Sequence, residues 1–181
     1  KAMDAIEQNA YWPRNASGKF SLPQQWQEWP LFGISWNDAT DYCKWFTVQR
    51  GASEWTFDLP TEDEWERAAR GPDGRFFPWS DRFDAAFCRM NESRPEMDPL
   101  NPEPFGLFPI DESICGVRDL AGGMREWTET PAGGKNQWRI AKGGTWGGSA
   151  SICRSAPRHD SVPWDVDGHS GLRLVARRAR P

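Results

Sequence analysis

The segment Gly116–Trp127, read Gly-Val-Arg-Asp-Leu-Ala-Gly-Gly-Met-Arg-Glu-Trp, constrains this chain more than any other. Three of its residues are glycines, which permit tight reversals and positive φ. Asp119 and Glu126 bring carboxylates into the same turn-rich stretch as several free carbonyls. Oxygens of those two kinds can enclose a cation, and calcium, a hard ion of flexible coordination number, suits them. The same residues also describe an ordinary loop with solvated carboxylates, and local pattern does not separate the two.

Composition sets the frame in which that turn must fold. With 181 residues, the chain is long enough for one sizeable core and short for two, so a single domain over residues 1–181 is expected. The net charge of -4 offers no basic face for nucleic acid; the dense basic cluster, Arg173 to Arg180, is a terminal tail. Twelve tryptophans can fill a core poor in long aliphatic helices, while 17 glycines and 15 prolines imply abundant loop and turn. Cys43, Cys88, Cys115 and Cys153 show neither CxxC nor zinc spacing, so reduced buried thiols are expected, with a disulfide as the alternative. No stretch is apolar enough to span a bilayer and no signal peptide opens the sequence, which favours the cytoplasm and no membrane partner. Because residue 1 is a lysine, an address or a domain upstream stays open.

Along the chain, residues 1–33 carry no sustained period and read as an irregular connecting arm packed by tryptophans. Ser35 three residues before Asp38, followed by Trp36, Ala39, Cys43 and Phe46, predicts a capped amphipathic helix over 36–50, ending at Gly51. Phe57 to Pro60 is a short extended lead-in to a second helix over 62–70, which Thr61 and Glu64 cap and Gly71 stops. The acidic first turn of that helix, Glu62-Asp63-Glu64, complements the helix dipole and needs no catalytic explanation. Residues 71–114 read as loop, and an irregular stretch of that length is usually functional or pinned by an ion. Short strands are expected over 138–142 and 171–175, the second placing Leu172, Leu174 and Ala176 on one face.

Several motifs, in order, carry a resemblance: Gly33-Ile-Ser-Trp-Asn-Asp-Ala39, Leu59-Pro-Thr-Glu-Asp-Glu-Trp-Glu66, Phe77-Pro-Trp79, Gly116–Trp127, Gly143-Gly-Thr-Trp146, Cys153-Arg-Ser-Ala156 and Gly171-Leu-Arg-Leu174. From about residue 30 onward, the chain resembles the formylglycine-generating-enzyme or sulfatase-modifying-factor family. The resemblance implies an α+β, C-type-lectin-like fold, with two helices beside small twisted antiparallel sheets and much irregular structure. It also implies a calcium site made by the carboxylates of Asp119 and Glu126 with the carbonyls of Leu120, Gly122 and Met124. A second calcium site of the family would begin at an asparagine; Arg89 stands there, and a guanidinium has no lone pair to give.

The catalytic branch of the family oxidises a substrate cysteine with copper and oxygen, using two cysteines just after the Gly-Gly-Ser-aromatic turn. Here the window Trp146–Ile152 has none, and Cys153 stands alone, so the paired sulfurs that would select copper(I) are missing. An enzyme is therefore not the expected reading. Both histidines, His159 and His169, fall between Trp146 and Gly171 with Asp160, Asp165 and Asp167 nearby, which admits a metal-dependent oxidoreductase, although no HxH or HxxxH spacing supports it.

A different reading of this region comes from what it lacks. Glu, Lys, Gln and Met make up 27 of the 181 residues, so about 3.6 should fall within residues 147–170 by composition alone. None does. In this the segment resembles the variable region of diversity-generating retroelement proteins, which use the same lectin-like scaffold. There, adenine mutagenesis of asparagine codons yields small, β-branched, Asp and His residues and cannot reach those four.

The expected function is thus a non-catalytic module that binds a ligand, most simply a protein, through residues 147–170. The candidate contacts are Ser149, Ala150, Ser151, Ile152, His159, Asp160, Ser161, Val162, Asp165, Val166, Asp167 and His169, with Trp146 and Trp164 as aromatic anchors. A sensory or interaction domain of a kinase-linked bacterial protein is the third possibility.

Overall fold

Both helix starts are written into the sequence as capping boxes, and both form. Ser35 Oγ accepts the Asp38 N–H at 3.1 Å while the Asp38 carboxylate accepts the Ser35 N–H at 3.0 Å. Thr61 and Glu64 repeat the exchange at 3.1 and 2.8 Å. Each pair satisfies donors that a helix N-terminus otherwise leaves orphaned. The computed structural model describes residues 12, 14–21, 24–51, 54–93, 103–134 and 137–178. Within them α1 spans Trp36–Gln49, β1 spans Trp55–Asp58 and α2 spans Glu62–Arg70, with Gly71 at φ 65° ending α2 as expected.

Five further strands follow: β2 Arg125–Pro131, β3 Arg139–Lys142, β4 Arg158–Ser161, β5 Ser170–Leu172 and β6 Val175–Arg178. They form two sheets, a pair β1–β6 and a four-stranded sheet in the order β4-β3-β2-β5. The result is an α+β arrangement of two helices beside small sheets, with three corrections to the sequence reading.

The stretch 171–175 is not one strand. The backbone switches sheets between Leu172 and Val175, so that β5 joins β2 and β6 pairs with β1, Phe57 facing Ala176. Leu172 and Leu174 still reach the same core cluster, which is why their spacing imitated a single strand, while Ala176 is exposed. Nor are the sheets wholly antiparallel, since β2 and β5 run parallel, with Arg125 opposite Ser170. The N-terminal stretch is not a mere connecting arm in its described part. Trp12 donates to the Phe32 carbonyl at 2.7 Å and meets Trp26 edge-on, and Trp12 and Phe32 are buried with Met124.

The main core sits between α1 and the four-stranded sheet. Ala39 and Cys43, four apart and therefore on one helix face, pack on Leu59, Trp127 and Ala141. On the other face of the sheet, α2 buries Trp65 and Ala69 against Leu120. The Gly-rich turn and the start of β2 are thereby clamped between both helices.

Candidate functional site

In the turn, Asp119 adopts φ 58°, a left-handed conformation that Asp enters more readily than most residues. Beneath it lies Asp111, which sequence reasoning left inside the irregular 71–114 stretch. Asp111 accepts the N–H of Ala121 at 3.1 Å and of Gly122 at 3.3 Å, and burial pushes its carboxyl up to about 7. Position 122 must be glycine, because a Cβ there would lie 2.3 Å from the Arg89 carbonyl oxygen.

Glu126 is the second residue of β2 and is fully engaged. Trp65 Nε1 donates to it at 2.6 Å, and Arg173 donates through Nε at 2.9 Å and Nη2 at 2.7 Å. Arg173 Nη2 also reaches the Arg118 carbonyl at 2.9 Å. Asp119 accepts the Gly106 N–H at 2.8 Å, and burial raises its carboxyl above the usual range.

Asp119, Gly122, Met124 and Glu126 line a cavity of about 590 Å³ together with Asp111, Glu103 and Arg89. Leu120 is not part of that lining; it is buried with Trp65 and Ala69. Among the described residues no three His, Cys, Asp or Glu side chains form a metal-holding group. An ion here would therefore depend on the carbonyls of Gly122 and Met124 beside the two carboxylates. The donor set fits a hard cation in kind, with Asp119 the less compensated acid because Arg173 already neutralises Glu126.

The C-terminal segment 147–170 leaves the four-stranded sheet after β3 and returns to it at β5, with β4 pinned to β3 between. The Asn91 N–H to the Gly148 carbonyl (2.9 Å) and the Asn37 N–H to the Pro163 carbonyl (3.1 Å) tie it down elsewhere. Ser149, Ser151 and Trp164 are exposed. Trp146, Ala150, Ile152, His159, Asp160, Val162, Asp165, Val166, Asp167 and His169 are partly so. Ser161 is buried and donates to the Asp165 carboxylate, so it holds the surface in shape and is not displayed on it. Sequence reading treated this whole region as loop; β4 was missed because Arg-His-Asp-Ser has none of the β-branched or aromatic signal of a strand.

His169 stacks on Trp146 with ring centroids 4.7 Å apart, and Trp146 Nε1 donates to the Gly168 carbonyl at 3.2 Å. Both histidines sit in the field of Arg125, a residue the sequence reading did not single out. Burial, and then the positive charge of Arg125, lower His159; burial also lowers His169. A strand beginning at position 125 puts Arg125 and Trp127 on the same face, a signal that the turn-like composition of the segment obscured.

Cys153 does not stand alone. Its buried thiol packs in one cluster with that of Cys88, 65 positions away, and with Phe77, Met90 and Ala121. This corrects the sequence reading, because the partner comes from a distant loop. The window Trp146–Ile152 still contains no cysteine.

A family model described as Sulfatase-modifying factor enzyme 1-like domain matches residues 5–178. The inactive C-alpha-formylglycine-generating enzyme 2 of Mus musculus is 32% identical over 186 residues, covering 95% of this chain and 56% of that protein. The hercynine oxygenase of Mycolicibacterium thermoresistibile is 28% identical over 172 residues, covering 81% of this chain and 35% of that one. Among solved structures, Treponema denticola variable protein 1 superposes with a TM-score of 0.72 at 18% identity, over 94% of this chain and 80% of the other. At that identity the likeness is one of fold. The chain spans about half the length or less of the curated relatives it matches.

Proposed function

The chain belongs to the family of sulfatase-modifying factor enzyme 1-like domains, and from that premise we propose that it is a non-catalytic domain that binds a protein ligand through residues 147–170. One observation carries the reading: this segment is anchored at both ends and in its middle by one sheet, yet most of its side chains keep solvent contact. A rigid scaffold presenting mixed side chains from connecting segments is a common way to build a recognition surface. The absence of cysteine from Trp146–Ile152 supports it further, since the sulfur pair of the catalytic branch has no counterpart there.

The test is selection of a displayed random peptide library on the purified protein. Binders should be lost on Trp164→Ala and His169→Ala and kept on Trp45→Ala, which alters the exposed face of α1. Stoichiometric copper or iron in the purified protein, with oxidation of a cysteine-containing peptide, would overturn the reading. That outcome would favour an oxidoreductase using His159 and His169, a rival that the similarity to a hercynine oxygenase keeps in view. The sharper form of the reading is a retroelement variable protein, supported by the missing Glu, Lys, Gln and Met in 147–170. It requires a reverse transcriptase gene nearby and a near-copy of the 3′ end of this gene; without both it is wrong.

As part of the same reading, the turn binds one calcium ion through Asp119 and Glu126 with the carbonyls of Gly122 and Met124, and the carbonyl of Leu120 completes the set that the family resemblance implies. The support is the carboxylate and carbonyl oxygen set around one cavity and an Asp119 charge left partly uncompensated. The ion would brace the loop against β2 and take no part in ligand chemistry.

A further inference from the structure

Arg125 opens β2, and its N–H donates to the His169 carbonyl at 2.9 Å, which holds the C-terminal segment against the sheet. Its side chain is only 15% exposed. Buried guanidinium groups normally spend their five donors on carboxylates and carbonyls. Arg173 does so, with Glu126 and the Arg118 carbonyl. Arg125 does not: among the described residues its nearest charged partner is Asp167 at 3.8 Å, beyond hydrogen-bond reach.

The acids nearby spend their printed hydrogen bonds elsewhere and pair with Arg125 through space alone: Asp165 is held by the Ser161 hydroxyl and Asp167 by the His169 N–H at 2.8 Å. Burial lowers Arg125 despite the pull of Asp167. On the same sheet face, Trp127 lies opposite Ala141 and Ala141 opposite His159, so Arg125 and His159 point to one side. Trp146 and His169, stacked, supply an aromatic wall in the same region.

We infer that this face recognises a single carboxylate on its protein ligand, with the fork of Arg125 as the receiving group and the His169–Trp146 pair beside it. The inference rests on the ligand-binding reading above and deepens it. A guanidinium fork matches a carboxylate through two parallel hydrogen bonds. A monoanion is preferred to a phosphate because Asp160, Asp165 and Asp167 all lie within the field of His159 and would repel a second negative charge.

The protein's two histidines both flank Arg125, so their imidazole NMR signals report on this site without interference from other histidines. Titration with N-acetylglutamate amide, N-acetylglycine and, as the uncharged control, N-acetylglutamine amide should give saturating shifts for the first two and none for the third. Stronger binding of the first assigns an acidic side chain, and of the second a terminal carboxylate. Arg125→Gln should weaken both carboxylates at least tenfold, and Arg125→Lys should recover part of the loss if the site and not the fold was damaged. Equal binding by wild type and Arg125→Gln, or no saturating shift with either carboxylate, overturns the inference. The displayed-peptide selection separates this failure from that of the parent reading. Binders that map to 147–170 without enrichment in acids sink the inference alone, whereas binders indifferent to 147–170 sink the parent reading.

Discussion

Lys142, with no solvent exposure, donates to Glu66 at 2.9 Å and to the Ala156 carbonyl at 2.8 Å. A buried ammonium is costly unless it is paired in this way, so the contact ties β3 to α2 and to the 147–170 segment at Ala156. Lys142→Met keeps the bulk but leaves Glu66 only Arg70. Because Glu66 is partly solvated, the loss should be about 1–3 kcal/mol in a urea melt, below the range for a wholly buried pair. The same pair sets a pH dependence. Burial opposes ionisation of Glu66, but hydrogen bonds from Lys142 and Arg70 outweigh it and hold the carboxyl below its ordinary 4.5. A depressed folded value gives stability that is present above the unfolded value and lost as pH falls through the folded one. The urea midpoint should therefore drop on acidification below about 4.5 less steeply in Glu66→Gln than in the wild type; identical profiles would show that the pair contributes nothing.

The two helices and the short strands owe their stability to different sources. α1 and α2 are fixed locally by their reciprocal caps, so Ser35→Ala and Thr61→Ala should each cost about 1 kcal/mol by chemical denaturation. The two losses should add, since the caps share no partner. The strands have no such local code. β4 exists because β3 pairs with it along four residues, and β5 because β2 offers its edge in parallel. Strand propensity is weak evidence in so short a run, and tertiary pairing decides. The helices were accordingly legible to within a residue, while β2 and β4 were hidden inside stretches that read as turn and loop.

At the scale of the whole molecule, the Gly-rich turn is where both helices, the sheet and the 103–108 segment converge. If calcium occupies it, the ion should couple to global stability. Chelation should lower the melting temperature of protein purified in calcium, and saturating calcium at about 100 times its Kd should restore about 2.7 kcal/mol. Asp119→Ala should melt at one temperature in both conditions; a wild type equally indifferent would remove calcium from the account. The sequence by itself determined the helices, their caps and the α+β class, because capping and helical periodicity are carried by residues three and four apart. Only the tertiary structure decided that one apparent strand serves two sheets, that Cys153 meets Cys88, that Asp111 supports the turn, and that Arg125 lies under-paired beside both histidines. Each of those facts joins residues far apart in the sequence, and no local pattern encodes a contact whose partner is chosen by packing.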